Sequence, residues 1–89
     1  MKSYKKIENI VRGFSNHRRI QILELLEKTP ELSVAEITEK LKINYNTASD
    51  HIRRLSIAGL VAKRNSDRDV RHKLTDRGRA ILTFCKTLE

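Results

Sequence analysis

Residues 33–74 read SVAEITEKLKINYNTASDHIRRLSIAGLVAKRNSDRDVRHKL, and the order of local signals in this run decides the fold. Ser33-Val34-Ala35-Glu36 is a capping box: the Ser33 hydroxyl takes an orphan amide of a starting helix while Glu36 reaches back to the Ser33 amide. Val34, Ile37 and Leu41 then space the buried stripe of a two-turn helix. Lys42-Ile43-Asn44 is a turn, with Ile43 set to plug the core between two helices and Asn44 to cap the second. In that second helix Ala48, Ile52 and Leu55 sit inward, Tyr45 and His51 flank them, and Asn46, Ser49, Asp50 and Arg53 face away. Gly59 is placed to end it. Residues 60–64 and 70–74 follow as two strands joined by a polar loop. In the second strand Val70, His72 and Leu74 share one face and Arg71 and Lys73 the other. Helix, turn, helix and hairpin in this order predict a winged helix-turn-helix, an arrangement suited to holding one helix against duplex DNA.

Working outward, Tyr4, Ile7, Val11 and Phe14 recur at three- and four-residue steps, so residues 3–13 form an amphipathic helix. Ser15 or Asn16 caps the next helix, whose Ile20, Ile22, Leu23, Leu25 and Leu26 are dense enough to be central to the core, and Thr29-Pro30 closes it. Thr75-Asp76-Arg77-Gly78 opens a last helix over residues 76–88, with Ile81, Leu82, Phe84, Cys85 and Leu88 as its apolar surface. The expected class is therefore α+β and mostly helical, one domain over residues 1–89. Its parts are three core helices, a helix-turn-helix at about 33–58, a wing at about 60–74, and terminal helices at about 3–13 and 76–88.

Eighty-nine residues lie near the lower end of what builds an adequate core alone. The two terminal helices each carry an apolar stripe that so small a domain does not fully cover, which predicts a homodimer. Tyr4, Ile7 and Val11 of the first helix and Ile81, Phe84, Cys85 and Leu88 of the last are the candidate interface.

The formal charge of +8 makes a polyanionic partner plausible, and its placement is more telling than its sum. Residues 1–19 carry six Lys/Arg against one Glu, and residues 59–79 seven Lys/Arg against three Asp. Residues 20–42 carry three Lys against five Glu. Two basic ends around a near-neutral scaffold suit a chain that touches phosphates from particular elements.

Short amides and hydroxyls at a helix start can approach base edges closely, and an arginine can span both acceptors of guanine. Asn46 and Ser49 are the candidate base readers, with Tyr45, Thr47 and Arg53 at bases or phosphates. The wing offers Lys63, Arg64, Arg71 and Lys73 for phosphates and Arg68, near its tip, for the minor groove. Arg18 and Arg19 are further phosphate candidates, although Arg19 serves equally well as a structural ion pair. Asp50 is best placed one turn before Arg53 or Arg54, orienting an arginine.

Other chemistries find little support. His17, His51 and His72 lie on three separate elements without metal-ligand spacing, so no metal or cofactor is expected. No nucleophile sits beside an oriented base and the three glycines are isolated, so an enzyme is not expected. Cys85, the lone cysteine, excludes an internal disulfide and reads as a buried small residue. No apolar run reaches the roughly 18 residues of a membrane span, and the lysine-rich start lacks a signal-peptide core. The expected location is cytoplasmic, with nucleoid association in a prokaryote.

Several segments together resemble the ArsR-type winged-helix repressors. They are Phe14 through Leu26 (FSNHRRIQILELL), Leu32 through Ile37 (LSVAEI), Thr47 through Ile52 with Leu55, and Ala58-Gly59-Leu60-Val61. The likeness covers about residues 14–75, while Leu74-Thr75-Asp76-Arg77-Gly78 is also similar to MarR-like and archaeal winged-helix proteins. The resemblance implies a homodimer on a roughly palindromic site, joined by its terminal helices, with Ser49 and its neighbours at bases. Arg19 fits the arginine that follows the short N-terminal loop. His17 departs from the family's usual proline and Asp50 from its basic or polar residue. The metal-sensing cysteines of the recognition helix and the paired ligands of the last helix are missing. Two other readings stay open: a sequence-tolerant architectural or chromatin protein, and a winged-helix protein-interaction module of a larger complex.

Overall fold

The computed structural model describes residues 1–89. The elements run α1 (Tyr4–Phe14), α2 (His17–Lys28), α3 (Val34–Leu41), α4 (Tyr45–Ile57), β1 (Val61–Ser66), β2 (Asp69–Leu74) and α5 (Asp76–Lys86). This is a winged helix-turn-helix with helices at both ends.

Capping side chains set the helix starts. Asn16, rather than Ser15, begins α2, its Oδ1 accepting from the Arg18 and Arg19 amides at 2.9 and 3.3 Å; Ser15 instead closes α1. The capping box of α3 is complete: the Glu36 amide donates to Ser33 Oγ at 3.2 Å and the Ser33 amide to Glu36 Oε1 at 2.9 Å. Asn44 Oδ1 accepts from the Asn46 and Thr47 amides and starts α4. Each such cap stabilises the chain by about 1 kcal/mol. Gly59 ends α4 with φ +77, donating to Ser56 O while the Leu60 amide donates to Leu55 O, the paired bonds of a Schellman motif.

Ile22, Leu23, Leu26, Leu32, Ile37, Ile52, Leu55, Leu60, Val61, Leu74 and Leu82 form one core to which every element after α1 contributes, with Ile10 and Phe14 of α1 packed against it. Burying each large aliphatic stabilises the fold by about 1.5–3 kcal/mol, so Leu55→Ala costs about 2–5 kcal/mol. Because Ile37 of α3 and Ala48, Ile52 and Leu55 of α4 are all buried there, the two helices of the motif move as one body.

The hairpin is antiparallel, Val61 opposite Leu74 and Ser66 opposite Asp69, leaving a two-residue turn at Asp67-Arg68. Its root is fastened by His72. The backbone of His72 bonds Leu32 and Glu31, and its buried ring directs Nδ1 at the Leu32 carbonyl at 2.8 Å. A carbonyl only accepts, so Nδ1 carries the proton. α5 starts where Thr75 Oγ1 accepts from the Gly78 amide and donates to the Gly59 carbonyl.

Several expectations need correction. Val70 does not face the core with His72 and Leu74: the outer half of the hairpin projects past α3, and Val70 is exposed. Cys85 is half-buried rather than buried, in a groove between α2 and α5. Ile43, Ile20 and Leu25 are only half-buried. The last helix stops at Lys86, so Leu88 lies beyond it. In α1 the core-facing residues are Ile10 and Phe14, whereas Tyr4, Ile7 and Val11 are exposed. No helix is long and apolar enough to cross a membrane.

Candidate nucleic-acid interface

The N-terminal turn of α4 projects Tyr45, Asn46 and Thr47 outward, all exposed, with Ser49 half-buried behind them. Asn44 satisfies two of the orphan amides, and the positive end of the helix dipole adds a field that favours anions. Tyr45 also lines a groove whose other wall is the wing, through Lys63, Asn65, Arg68 and Val70, and whose floor is residues 33–35 of α3. Tyr45 of the recognition helix thus shares one concave face with the wing candidates Lys63 and Arg68.

Asp50 sits one turn into this helix and pairs with both arginines that follow. It accepts from Arg53 at 2.8 Å and from Arg54 Nε at 3.1 Å. The bond from Arg53, then that from Arg54, hold its carboxyl below its ordinary value, so it is ionised at neutral pH. The pairing reduces its repulsion toward a polyanion and leaves Arg53 exposed.

The remaining basic candidates divide by what they touch. Lys63, Arg68 and Lys73 are exposed and take part in no intramolecular ion pair. Arg18, half-buried, donates to the Gln21 side chain. Arg19 is turned inward: Nε donates to His51 Nδ1 at 3.0 Å and a terminal nitrogen to the carbonyls of Arg12 and Gly13. Arg64 pairs with Glu31 at 2.7 Å. Arg71, whose side chain is 29% exposed, bonds Glu36 Oε1, the Glu31 carbonyl and Asp69 Oδ2. Composition could not separate the free cations from the engaged ones, because the partners Glu31 and Glu36 lie more than thirty residues away in sequence.

The candidate dimer residues lie on α1 and on α5 with the segment just beyond it. On α1 Tyr4 (76% exposed) stands out to solvent with the less exposed Ile7 and Val11, and at the other end of the chain Phe84 (53%) and Leu88 (69%) do the same. Ile81 packs partly on the core and Cys85 is half-buried. Ile57, at the end of α4 and 74% exposed, joins this apolar set, and its period with Ile52 gave no hint of it. No group of three or more His, Cys, Asp or Glu is arranged to hold a metal.

The fold and this face define a winged helix-turn-helix regulator. The chain belongs to the arsR family of bacterial regulatory proteins, whose model matches residues 16–63. It is 34% identical over 64 residues to an HTH-type transcriptional regulator of Methanocaldococcus jannaschii, covering 72% of each chain. Among solved structures it is similar to reduced HlyU from Vibrio cholerae, at 30% identity and a TM-score of 0.81 over 98% of this chain and 92% of that one. The homodimeric winged helix-turn-helix DNA-binding domain Mb0332 from Mycobacterium bovis superposes with a TM-score of 0.84 at 24% identity, over 93% of this chain and 77% of that one. That last likeness is one of fold. The family is one of transcriptional regulators rather than enzymes, and the chain is a transcriptional regulator.

Proposed function

We propose that the chain is a homodimeric, sequence-specific repressor that binds double-stranded DNA through α4 and the wing. The observation that carries this is the shared groove, in which Tyr45 at the exposed polar start of α4 lines one surface with Lys63 and Arg68 of the wing. Asn46 and Ser49 read base edges, with Tyr45, Thr47 and Arg53 at bases or the flanking phosphates. Arg68 at the wing tip enters the minor groove, and Lys63, Lys73 and Arg18 neutralise phosphates.

Dimerisation through α1 and α5 is supported by the exposed Tyr4, Ile7, Val11, Phe84 and Leu88, and by the homodimeric state of the Mycobacterium bovis domain. Ile81 and Cys85 lie at the inner margin of that interface. Two-fold pairing sets the recognition helices about one DNA turn apart, ~34 Å. No cofactor or membrane partner is needed, and the cytoplasm, at the nucleoid, is the corresponding location.

The test is selection from a randomised duplex pool at near-physiological salt, followed by sequencing, alongside sedimentation of the free protein. A two-fold symmetric motif and a dimer are expected. Retained but motif-free DNA gives the architectural reading instead. Failure to retain DNA gives the protein-interaction reading.

A further inference from the structure

We propose that Glu36 and Arg71 are positioning residues for DNA recognition: the α3 carboxylate holds the β2 guanidinium, and this pair fixes the wing relative to α4. Arg71 then acts through the wing's orientation and makes no phosphate contact. The inference rests on the DNA-binding reading above and deepens it.

The geometry begins with an arrangement that needs compensation. Arg64 and Arg71 are directly opposite each other in the hairpin, and like charges so placed destabilise a strand pair. Both guanidiniums are instead drawn toward the segment that leads into α3. Arg64 Nε reaches Glu31 Oε1 at 2.7 Å. Arg71 directs one terminal nitrogen at Glu36 Oε1, 2.7 Å away, and at the Glu31 carbonyl, 3.0 Å away; the other meets Asp69 Oδ2 at 3.2 Å. Glu31 holds a left-handed backbone conformation, φ +68, while its amide bonds the His72 carbonyl. A non-glycine residue in this region is uncommon and persists where its surroundings hold it there.

Glu36 does two things with one atom. Its Oε1 accepts from the Ser33 amide, closing the capping box, and from Arg71. The start of α3 and the outer hairpin are thereby joined through a single oxygen. Since α3 and α4 share the core through Ile37, Ala48 and Ile52, whatever fixes the wing to α3 fixes it to the recognition helix.

Position along the hairpin explains why this matters. Val61, His72 and Leu74 anchor the root in the core, but Lys63, Arg64, Asn65, Asp67, Arg68, Asp69 and Val70 are all exposed. The outer half contributes no buried residue. The ion pairs of Arg64 and Arg71 are the last ties before the tip, four and three residues from Arg68, and a rotation of the hairpin about them displaces Arg68. A phosphate would have to displace Arg71 from two carboxylates and a carbonyl, whereas Lys63, Arg68 and Lys73 are free to meet one.

The two roles of Arg71 predict opposite signs, measured on the full chain with its selected duplex. As a phosphate contact, Arg71→Gln would flatten the log–log salt dependence by about one unit, and Glu36→Gln would tighten binding by removing a competing charge. As positioning residues, Glu36→Gln and Arg71→Gln each weaken specific binding about two- to fivefold, the range of a part-exposed ion pair. The double variant is then no weaker than the worse single one, and the salt slope is unchanged. Glutamine at 36 still completes a capping box, so α3 remains formed. Hydroxyl-radical footprints of both variants should lose protection at the wing's flanks and keep it under α4. A flattened slope for Arg71→Gln, or tighter binding by Glu36→Gln, overturns the proposal.

Residual dipolar couplings of the free protein separate this inference from the DNA-binding reading. Residues 65–70 should lose their fixed orientation in both variants while α4 keeps its own. An unchanged wing overturns the clamp, whether or not the parent chain binds DNA; a parent that binds no duplex at all overturns the function instead.

Discussion

Arg19 Nε donates to His51 Nδ1 at 3.0 Å, while a terminal nitrogen of the same guanidinium donates to the carbonyls of Arg12 and Gly13. One side chain at the start of α2 thus ties the end of α1 to the middle of α4. An arginine donates and never accepts, so His51 must be neutral here, its proton on Nε2.

Stability should fall as pH drops below about 6.5. Burial, then the nearby Arg19 charge, lower the His51 pKa from its ordinary 6.5; Arg54 and His17 act in the same direction and Asp50 against it. The folded form disfavours the proton that the unfolded chain takes up near 6.5, so His51's contribution is full above that pH. It is lost as pH falls toward the lower folded value. His72, pushed down by burial against the opposing bond to Leu32, has the same sign. The midpoint of thermal unfolding should therefore fall between about pH 7.5 and 5.5. His51→Asn keeps an acceptor near the Nδ1 position and should remove part of that slope, leaving the share of His72. A midpoint that is flat over this range would contradict both assignments.

Base readout and phosphate attraction should separate by element. Asn46→Ala with Ser49→Ala should erode discrimination between the selected motif and a scrambled duplex more than it lowers total binding. Lys73→Ala should weaken every duplex similarly and flatten the salt slope by about one unit. Titrations of both duplexes at several salt concentrations measure the two quantities. Equal loss of specificity from both changes would remove the division of labour between α4 and the wing.

The elements were legible because their signals are local. The Ser33–Glu36 box, the Asn44 cap, Gly59 and the pairing of Asp50 with Arg53 and Arg54 all lie within one or two turns of chain. The partners of Arg19, Arg64 and Arg71 were not legible, since each contact depends on how distant elements pack. Strand alternation gave Val70 its face but not the reach of the helix beneath it. Nor does sequence announce Glu31 and Lys42 in left-handed conformations that are more often given to glycine.

Lys42 supplies a stability test of that kind. It closes α3 with φ +55, its amide bonding the Thr38 carbonyl, in the turn between the two helices of the motif. A side chain in this region is strained by about 1 kcal/mol, and glycine relieves the strain while loosening the unfolded chain. Lys42→Gly should raise stability by up to about 1 kcal/mol, or a few degrees in the unfolding midpoint. A drop would mean that the Lys42 side chain itself holds the turn.

Gly13 tests whether α1 serves the proposed dimer rather than the fold. It lies where α1 crosses α4, and a Cβ built there falls 2.5 Å from Ala58 Cβ and 3.6 Å from the Arg54 carbonyl. Gly13→Ala must push the two helices apart, with a strain of about 1–3 kcal/mol. Because α1 contains no fully buried residue, the core should survive this shift with a modest loss of stability. The exposed Tyr4, Ile7 and Val11 would be displaced with α1, and a misfit of about 1.4 kcal/mol at a paired surface weakens association about tenfold. Gly78→Ala is the control, since its Cβ would overlap the Leu60 carbonyl oxygen inside the core and should destabilise the monomer itself. Sedimentation equilibrium beside thermal unfolding distinguishes the two: Gly13→Ala should dissociate before it unfolds, and Gly78→Ala should unfold. An unaltered dimer in Gly13→Ala, with α1 still displaced by nuclear magnetic resonance, would move the interface away from α1.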